Sequence, residues 1–306
     1  MLLTVDRISK EFNDRTVLSD VSFDMGEGEI VGFLGPNGSG KTTTIKIILG
    51  LLTPDSGNVY INGLNIRTDF EKAVSGVGAI IETPELYGYL SGFENLRIAG
   101  RPYGVTRARI DEVVEAVGLQ EFIGEKVRRY SLGMRQRLGI AQAMLHSPRL
   151  LILDEPLNGL DPAGVVDFIE LLRELAKNGT SVLISSHQLA EMELICSRLI
   201  IIEGGFIVSI KTLKELTTES EDIPVNFRLD VNDAAAALRM LTEHGFSAAV
   251  KESGLVVCMT RIQSAEAARL LVENGISLYG MSAQKKTLSD AFMEATGKKK
   301  RRSSGR

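Results

Sequence analysis

The sequence predicts a layered α/β domain with a largely parallel sheet and a helical insertion, followed by a small α+β unit of ferredoxin-like order. Three observations predict it. Over the first two thirds of the 306 residues, short apolar runs alternate with amphipathic stretches, separated by Gly and Asp/Asn turns, as strands alternate with helices in such domains. One apolar run leads through a Gly-rich loop into a helical stretch. After a polar segment near residues 214–224, the pattern restarts as strand, helix, two strands, helix, strand, the ferredoxin-like order.

The core strands are expected at residues 30–34, 150–153, 181–184 and 199–202, all apolar runs of strand length. A helix is expected where Val165, Phe168, Ile169, Leu172 and Leu175 recur at spacings of three and four. Asp161 suits its N-cap and Pro162 its first position. Between Glu82 and Ser147 strand signals give way to helical patterns such as Ile110, Val113, Val114 and Val117, so this stretch reads as a helical insertion. The segment 216–224 reads as a linker. Beyond it, residues 225–231 read as a strand and 233–244 as a helix. Residues 248–251 and 255–260 read as a hairpin turning at Gly254, 264–274 as a helix and 276–282 as a strand.

Composition bounds the function. Hydrophobic residues make up 44% and charged residues 24%, which fits a globular protein and excludes a disordered or fibrous one. No apolar run approaches the roughly 18 residues of a membrane span, and the N-terminus lacks a signal-peptide layout. A cytoplasmic chain is expected. Cys196 and Cys258 fit no metal or disulfide framework. The net charge is −4, yet residues 298–306 carry six positive charges and no negative one, so the body is more acidic still. An acidic body argues against nucleic-acid binding. The tail is expected to be disordered and solvated, or to touch anionic lipid headgroups.

Two motifs carry chemistry. Gly35-Pro36-Asn37-Gly38-Ser39-Gly40-Lys41-Thr42 matches G-x-x-x-x-G-K-[ST], between a strand and a helix that starts around Thr43. Glycines let backbone N–H groups wrap phosphate oxygens, and the helix N-terminus adds positive potential. Lys41 supplies charge for the β- and γ-phosphates of ATP, and the Thr42 hydroxyl suits Mg²⁺. The second motif is an apolar strand, 150–153, ending in Asp154 and Glu155. Ligands gather at that end of parallel sheets. Asp154 suits Mg²⁺, directly or through water, and Glu155 suits polarising the attacking water.

Tyr130-Ser131-Leu132-Gly133-Met134-Arg135-Gln136-Arg137 resembles the signature motif of ABC transporter ATPases. Asn158-Gly159-Leu160-Asp161 resembles that family's D-loop, His187 its switch histidine, and Phe12 stands where its adenine-stacking aromatic stands. The elements occur in family order, over about residues 1–215. The resemblance implies a P-loop NTPase core with an antiparallel β edge and a helical subdomain at about 83–149. It also implies a head-to-tail dimer with each ATP between the phosphate loop of one copy (Gly35 to Thr43) and Ser131 and Gly133 of the other, near Asp161. His187 would contact the γ-phosphate. Phe12 reads equally as a core residue.

Two positions depart from the family's usual form. Glu82 stands where Gln is usual. It keeps an oxygen for Mg²⁺ or water, and its charge should either tighten metal binding or take up a proton. Leu132 replaces the first glycine of the signature. Both changes resemble the bacitracin- and lantibiotic-immunity branch of ABC exporters, in which one ATPase chain serves a separate transmembrane permease. So does the segment 287–294. This implies a chain peripheral on the inner face of the cell membrane. The apolar loop from Glu82 to Phe93 then reads as packing against the helical subdomain, or as a groove for a permease helix. The competing reading is a soluble ATPase acting on a ribosome, nucleic acid or regulatory partner. The C-terminal unit also reads as a small-molecule sensor controlling the ATPase.

Overall fold

The computed structural model describes residues 1–212, 224–251 and 254–283. The chain divides into two compact units, Met1–Leu213 and Lys214–Arg306.

In the first unit, β1 (Leu3–Phe12) and β2 (Arg15–Met25) form a hairpin. With β4 (Ser56–Ile61) and β5 (Leu64–Asn65) they make an antiparallel sheet ordered β2-β1-β4-β5. The main sheet is ordered β10-β9-β3-β8-β7-β6. It comprises β3 (Ile30–Leu34), β6 (Val77–Ile80), β7 (Leu150–Leu153), β8 (Ser181–Ser186), β9 (Arg198–Glu203) and β10 (Phe206–Thr212). Five of these run parallel, and β10 closes the edge antiparallel to β9. Every residue of β3, β7 and β8 is buried, as expected of parallel strands covered on both faces.

Helix α1 (Lys41–Ile48) follows β3, and its Ile45, Ile47 and Ile48 share one core with both sheets. The sequence pattern carries this helix on to Leu51. It stops earlier because Gly50 takes φ +68° with the Phe70 ring against its Cα, where a Cβ would lie 2.3 Å from that ring. After α2 (Phe70–Val74) and β6, the insertion holds α3 (Gly92–Gly100), α4 (Arg107–Ala116) and α5 (Leu132–Met144). Ile110, Val113 and Val114 form the buried face of α4. Helix α6 (Pro162–Lys177) starts at the Asp161 cap and buries Phe168, Ile169, Leu172 and Leu175. Helix α7 (Leu189–Ile195) leads to Cys196, which packs against Gly32 of β3. Burial pushes the Cys196 thiol far above its usual range.

The second unit contains β11 (Val225–Val231), α8 (Ala234–Glu243), β12 (Ser247–Lys251), β13 (Gly254–Met259), α9 (Arg261–Glu273) and β14 (Leu278–Ala283). Its antiparallel sheet is ordered β12-β13-β11-β14, the ferredoxin-like arrangement. Phe227, Leu229, Leu241, Leu255, Val257 and Leu271 lie in its core. Several boundaries differ from the sequence reading by one to three residues. Gly254 pairs with Lys251 at the start of β13 rather than turning the hairpin. Helix α9 begins three residues earlier, because Thr260 and Gln263 form a reciprocal capping box. Ile276 lies in the core ahead of the last strand instead of opening it. The linker 216–224 (Pro224 apart), the segment 287–294 and the tail 298–306 lie outside the described residues.

Candidate nucleotide site

The loop between β3 and α1 is shaped by its glycines. Gly38 and Gly40 take φ +79° and +108°, open to glycine and strained for other residues. A Cβ on Gly35 would lie 2.3 Å from the Ile202 carbonyl oxygen. The Gly35 N–H donates to the Ser186 carbonyl at 3.3 Å, tying the loop to β8. Lys41 is buried, and its Nζ donates to the carbonyls of Gly35 (2.8 Å) and Pro36 (3.3 Å). The same ammonium lies 3.0 Å from Glu155 Oε1.

Asp154 directly follows β7 and is 1% exposed. Its two oxygens accept from Thr42 Oγ1 at 2.7 Å and from Ser185 Oγ at 2.5 Å. Ser185 in turn accepts from the Glu155 N–H at 2.9 Å. The parallel pairing of Leu153 with Ile184 brings Ser185 beside Asp154. Glu155 has φ +50°, an uncommon conformation for a non-glycine residue. His187 Nδ1 lies 2.8 Å from its Oε2. Burial raises the Glu155 carboxyl, but the hydrogen bonds from His187 and Lys41 outweigh that and hold it below the ordinary glutamate value.

Phe12, Lys41, Thr42, Thr43, Glu155 and His187 line one cleft of about 600 Å³ with Asn37, Gly38 and Gly40. Phe12 is 43% exposed there and lies outside the core. Ser39 is buried behind the loop. Arg15 and Asn158 also line the cleft. The sequence does not mark Arg15, which is placed by its pairing with Phe12 across the hairpin, and it marks Asn158 only as part of the D-loop resemblance.

Three predicted residues lie elsewhere. Ser131, Gly133 and Asp161 line a second cleft of about 600 Å³. Ser131 Oγ caps α5, accepting from the Met134 N–H at 3.2 Å. Asp161 Oδ1 caps α6, accepting from the Gly164 N–H at 2.9 Å. Glu82 lines neither cleft. It is exposed, with φ +61°, and its carboxylate lies 4.0 Å from Lys46 Nζ.

Among the described residues no helix is long and apolar enough to cross a membrane. Residues 18–158 match the family model for ABC transporters. The chain is 46% identical over 299 residues to the uncharacterized ABC transporter ATP-binding protein YdbJ of Bacillus subtilis (strain 168), covering 96% of this chain and 95% of that one. It is 34% identical over 300 residues to the bacitracin transport ATP-binding protein BcrA of Enterococcus faecalis, covering 97% and 96%. A solved dimeric ATP-binding cassette in a post-hydrolysis state, bound to ADP and phosphate, aligns with a TM-score of 0.62 at 25% identity, covering 69% of this chain and 98% of that one. The chain therefore belongs to the ABC transporter family, as one of its ATP-binding, ATP-hydrolysing subunits.

Proposed function

We propose that this chain drives an exporter, as a head-to-tail dimer acting on a separate transmembrane permease at the inner face of the cell membrane. One observation carries the reading: the phosphate-loop residues Asn37, Gly38, Lys41 and Thr42 share one cleft with Glu155 and His187, and Asp154 is bonded to Thr42, while Ser131 and Gly133 line another cleft. The start of α5 is an anion-binding end outside the cleft of its own phosphate loop. A second copy would complete each site.

In that site the loop amides and Lys41 hold the β- and γ-phosphates, and Phe12 stacks on adenine. Glu155 accepts a proton from the attacking water as its oxygen bonds to the γ-phosphorus and the β–γ bridging bond breaks, releasing ADP and phosphate. His187 orients the Glu155 carboxylate and reaches the γ-phosphate. The Thr42 hydroxyl and Asp154 carboxylate form a paired hard-oxygen donor set that fits Mg²⁺. When bound, Mg²⁺ neutralises charge on the β- and γ-oxygens. Glu82 belongs to the same set if it leaves Lys46.

We assign residues 1–215 to the nucleotide-binding domain, with its helical subdomain at about 83–149. We assign 216–224 to a linker, 225–297 to the C-terminal domain and 298–306 to a basic tail. The permease would dock in the groove of about 630 Å³ lined by Ile80, Pro84, Glu85, Tyr103, Gln142 and His146. Its mixed apolar and polar walls suit an amphipathic helix. The relative named for bacitracin transport supports export.

The test is affinity purification of the full chain from detergent-solubilised membranes. A polytopic permease should co-purify in stoichiometric amount. Ribosomes or nucleic acid in its place would overturn the reading.

A further inference from the structure

The second cleft contains a contact between two loops that the chemistry above leaves unused. Leu132 opens α5 directly after Ser131. Gly159 and Leu160 lie in the loop that leaves Glu155 and ends at the Asp161 cap. A Cβ on Gly159 would lie 2.9 Å from Leu132 Cδ2, and a Cβ on Gly133 would lie 3.7 Å from Leu160 Cδ2. Each leucine lies over the other segment's glycine. Gly159 takes φ +80°, a conformation glycine enters freely but is not confined to. The near end of the loop is tied to the backbone of Glu155: the Asn158 N–H donates to the Glu155 main-chain carbonyl at 3.2 Å, and Asn158 lines the nucleotide cleft.

We infer that Leu132 is a positioning residue for hydrolysis. By seating on Gly159 it fixes the loop behind Glu155, so that Ser131 and Gly133 on one side and Asn158 and Glu155 on the other move as one body. A glycine at 132 has no side chain to reach across. The closure is apolar and reciprocal, and it joins the anion-binding end of α5 to the turn that sets Glu155. This inference rests on the proposed dimeric site. Leu132 does not line the cleft of its own phosphate loop. Its effect therefore belongs in kcat, not in nucleotide affinity.

The experiment is steady-state ATPase assay of the full-length protein, with binding of a fluorescent ATP analogue and thermal melting alongside. Leu132→Ala should bind the analogue as the parent does, melt within a few degrees of it and lose about tenfold in kcat. Leu132→Met should retain most of kcat. Gly159→Ala should lose more, since its Cβ meets Leu132 and its backbone is strained. The double variant Leu132→Ala with Gly159→Ala should be no worse than Gly159→Ala alone, because the two changes act on one contact. Full kcat in Leu132→Ala, or losses that multiply in the double variant, would overturn the inference and leave the proposed function standing. A parent protein without ATPase activity would overturn both.

Discussion

Glu155 is held by three things at once: a left-handed backbone, the Ser185 hydroxyl on its N–H, and the Lys41 ammonium and His187 ring on its carboxylate. The two neighbouring carboxylates have different partners: Asp154 accepts from Thr42 and Ser185, and Glu155 meets Lys41 and His187. Glu155→Gln keeps the shape and removes the proposed proton acceptor. It should lower kcat roughly a thousandfold while an ATP-bound dimer accumulates, read by single-turnover assay and gel filtration. The hydrogen bond from His187 is the largest influence lowering the Glu155 carboxyl. A lowered folded-state value means that this charge stabilises the fold above the ordinary glutamate value, and that the contribution disappears as pH falls through the lowered one. His187→Ala should therefore raise the Glu155 carboxyl and move the acid limb of kcat/KM to higher pH. A limb that stays in place would remove His187 as its partner. Chemistry at this scale was legible in the sequence, because Gly35 to Thr42 and the Asp154–Glu155 pair sit in contiguous motifs. The salt bridge from Lys41 to Glu155 was not, because it joins residues brought together only by the sheet.

At the scale of elements, the strand register does what no motif displays. Pairing of β7 with β8 puts Ser185 against Asp154, where one hydroxyl donates to a carboxylate and accepts from the next N–H. Ser185 is fully buried. Ser185→Ala strands both partners and should cost about 1–3 kcal/mol, measured by chemical unfolding of the first unit. Ser185→Thr should recover part of it. The sequence marks Ser185 only as a residue before His187. Its role depends on which strand lies beside β7, and the chain order does not supply that. Helix α6 was readable because Asp161, Pro162 and an apolar face at helical spacing all agree. The antiparallel sheet was harder. Its strand β5 has two residues, and β1 is broken by register shifts between Val5 and Lys10, so no clean alternation survives. Glu82 shows the limit of alignment alone: its place in the chain was readable, but its exposed side chain beside Lys46 follows from the local backbone.

For the whole molecule, each of the two units buries a hydrophobic core of its own. Among the described residues, those lining the nucleotide cleft run from Phe12 to His187. A chain ending before residue 225 should bind an ATP analogue with the affinity of the full chain. Loss of binding would show that the second unit supports the first. The polar run 214–224 interrupts both strand and helix patterns, which is why the sequence reading places a linker there. The ferredoxin-like order was visible because Val225–Val231 alternates and the two helices carry apolar faces.

The packing of Cys196 against Gly32 has a practical consequence for anyone studying this protein in solution. Its thiol is sealed under α7 and reluctant to ionise, while Cys258 stands exposed on the ferredoxin-like unit. A maleimide probe added to the native chain should attach once, on the second unit. The unmodified sequence thus provides a site-specific spectroscopic label for that unit without engineered cysteines, and a second equivalent of attachment would report the opening of the first unit's core.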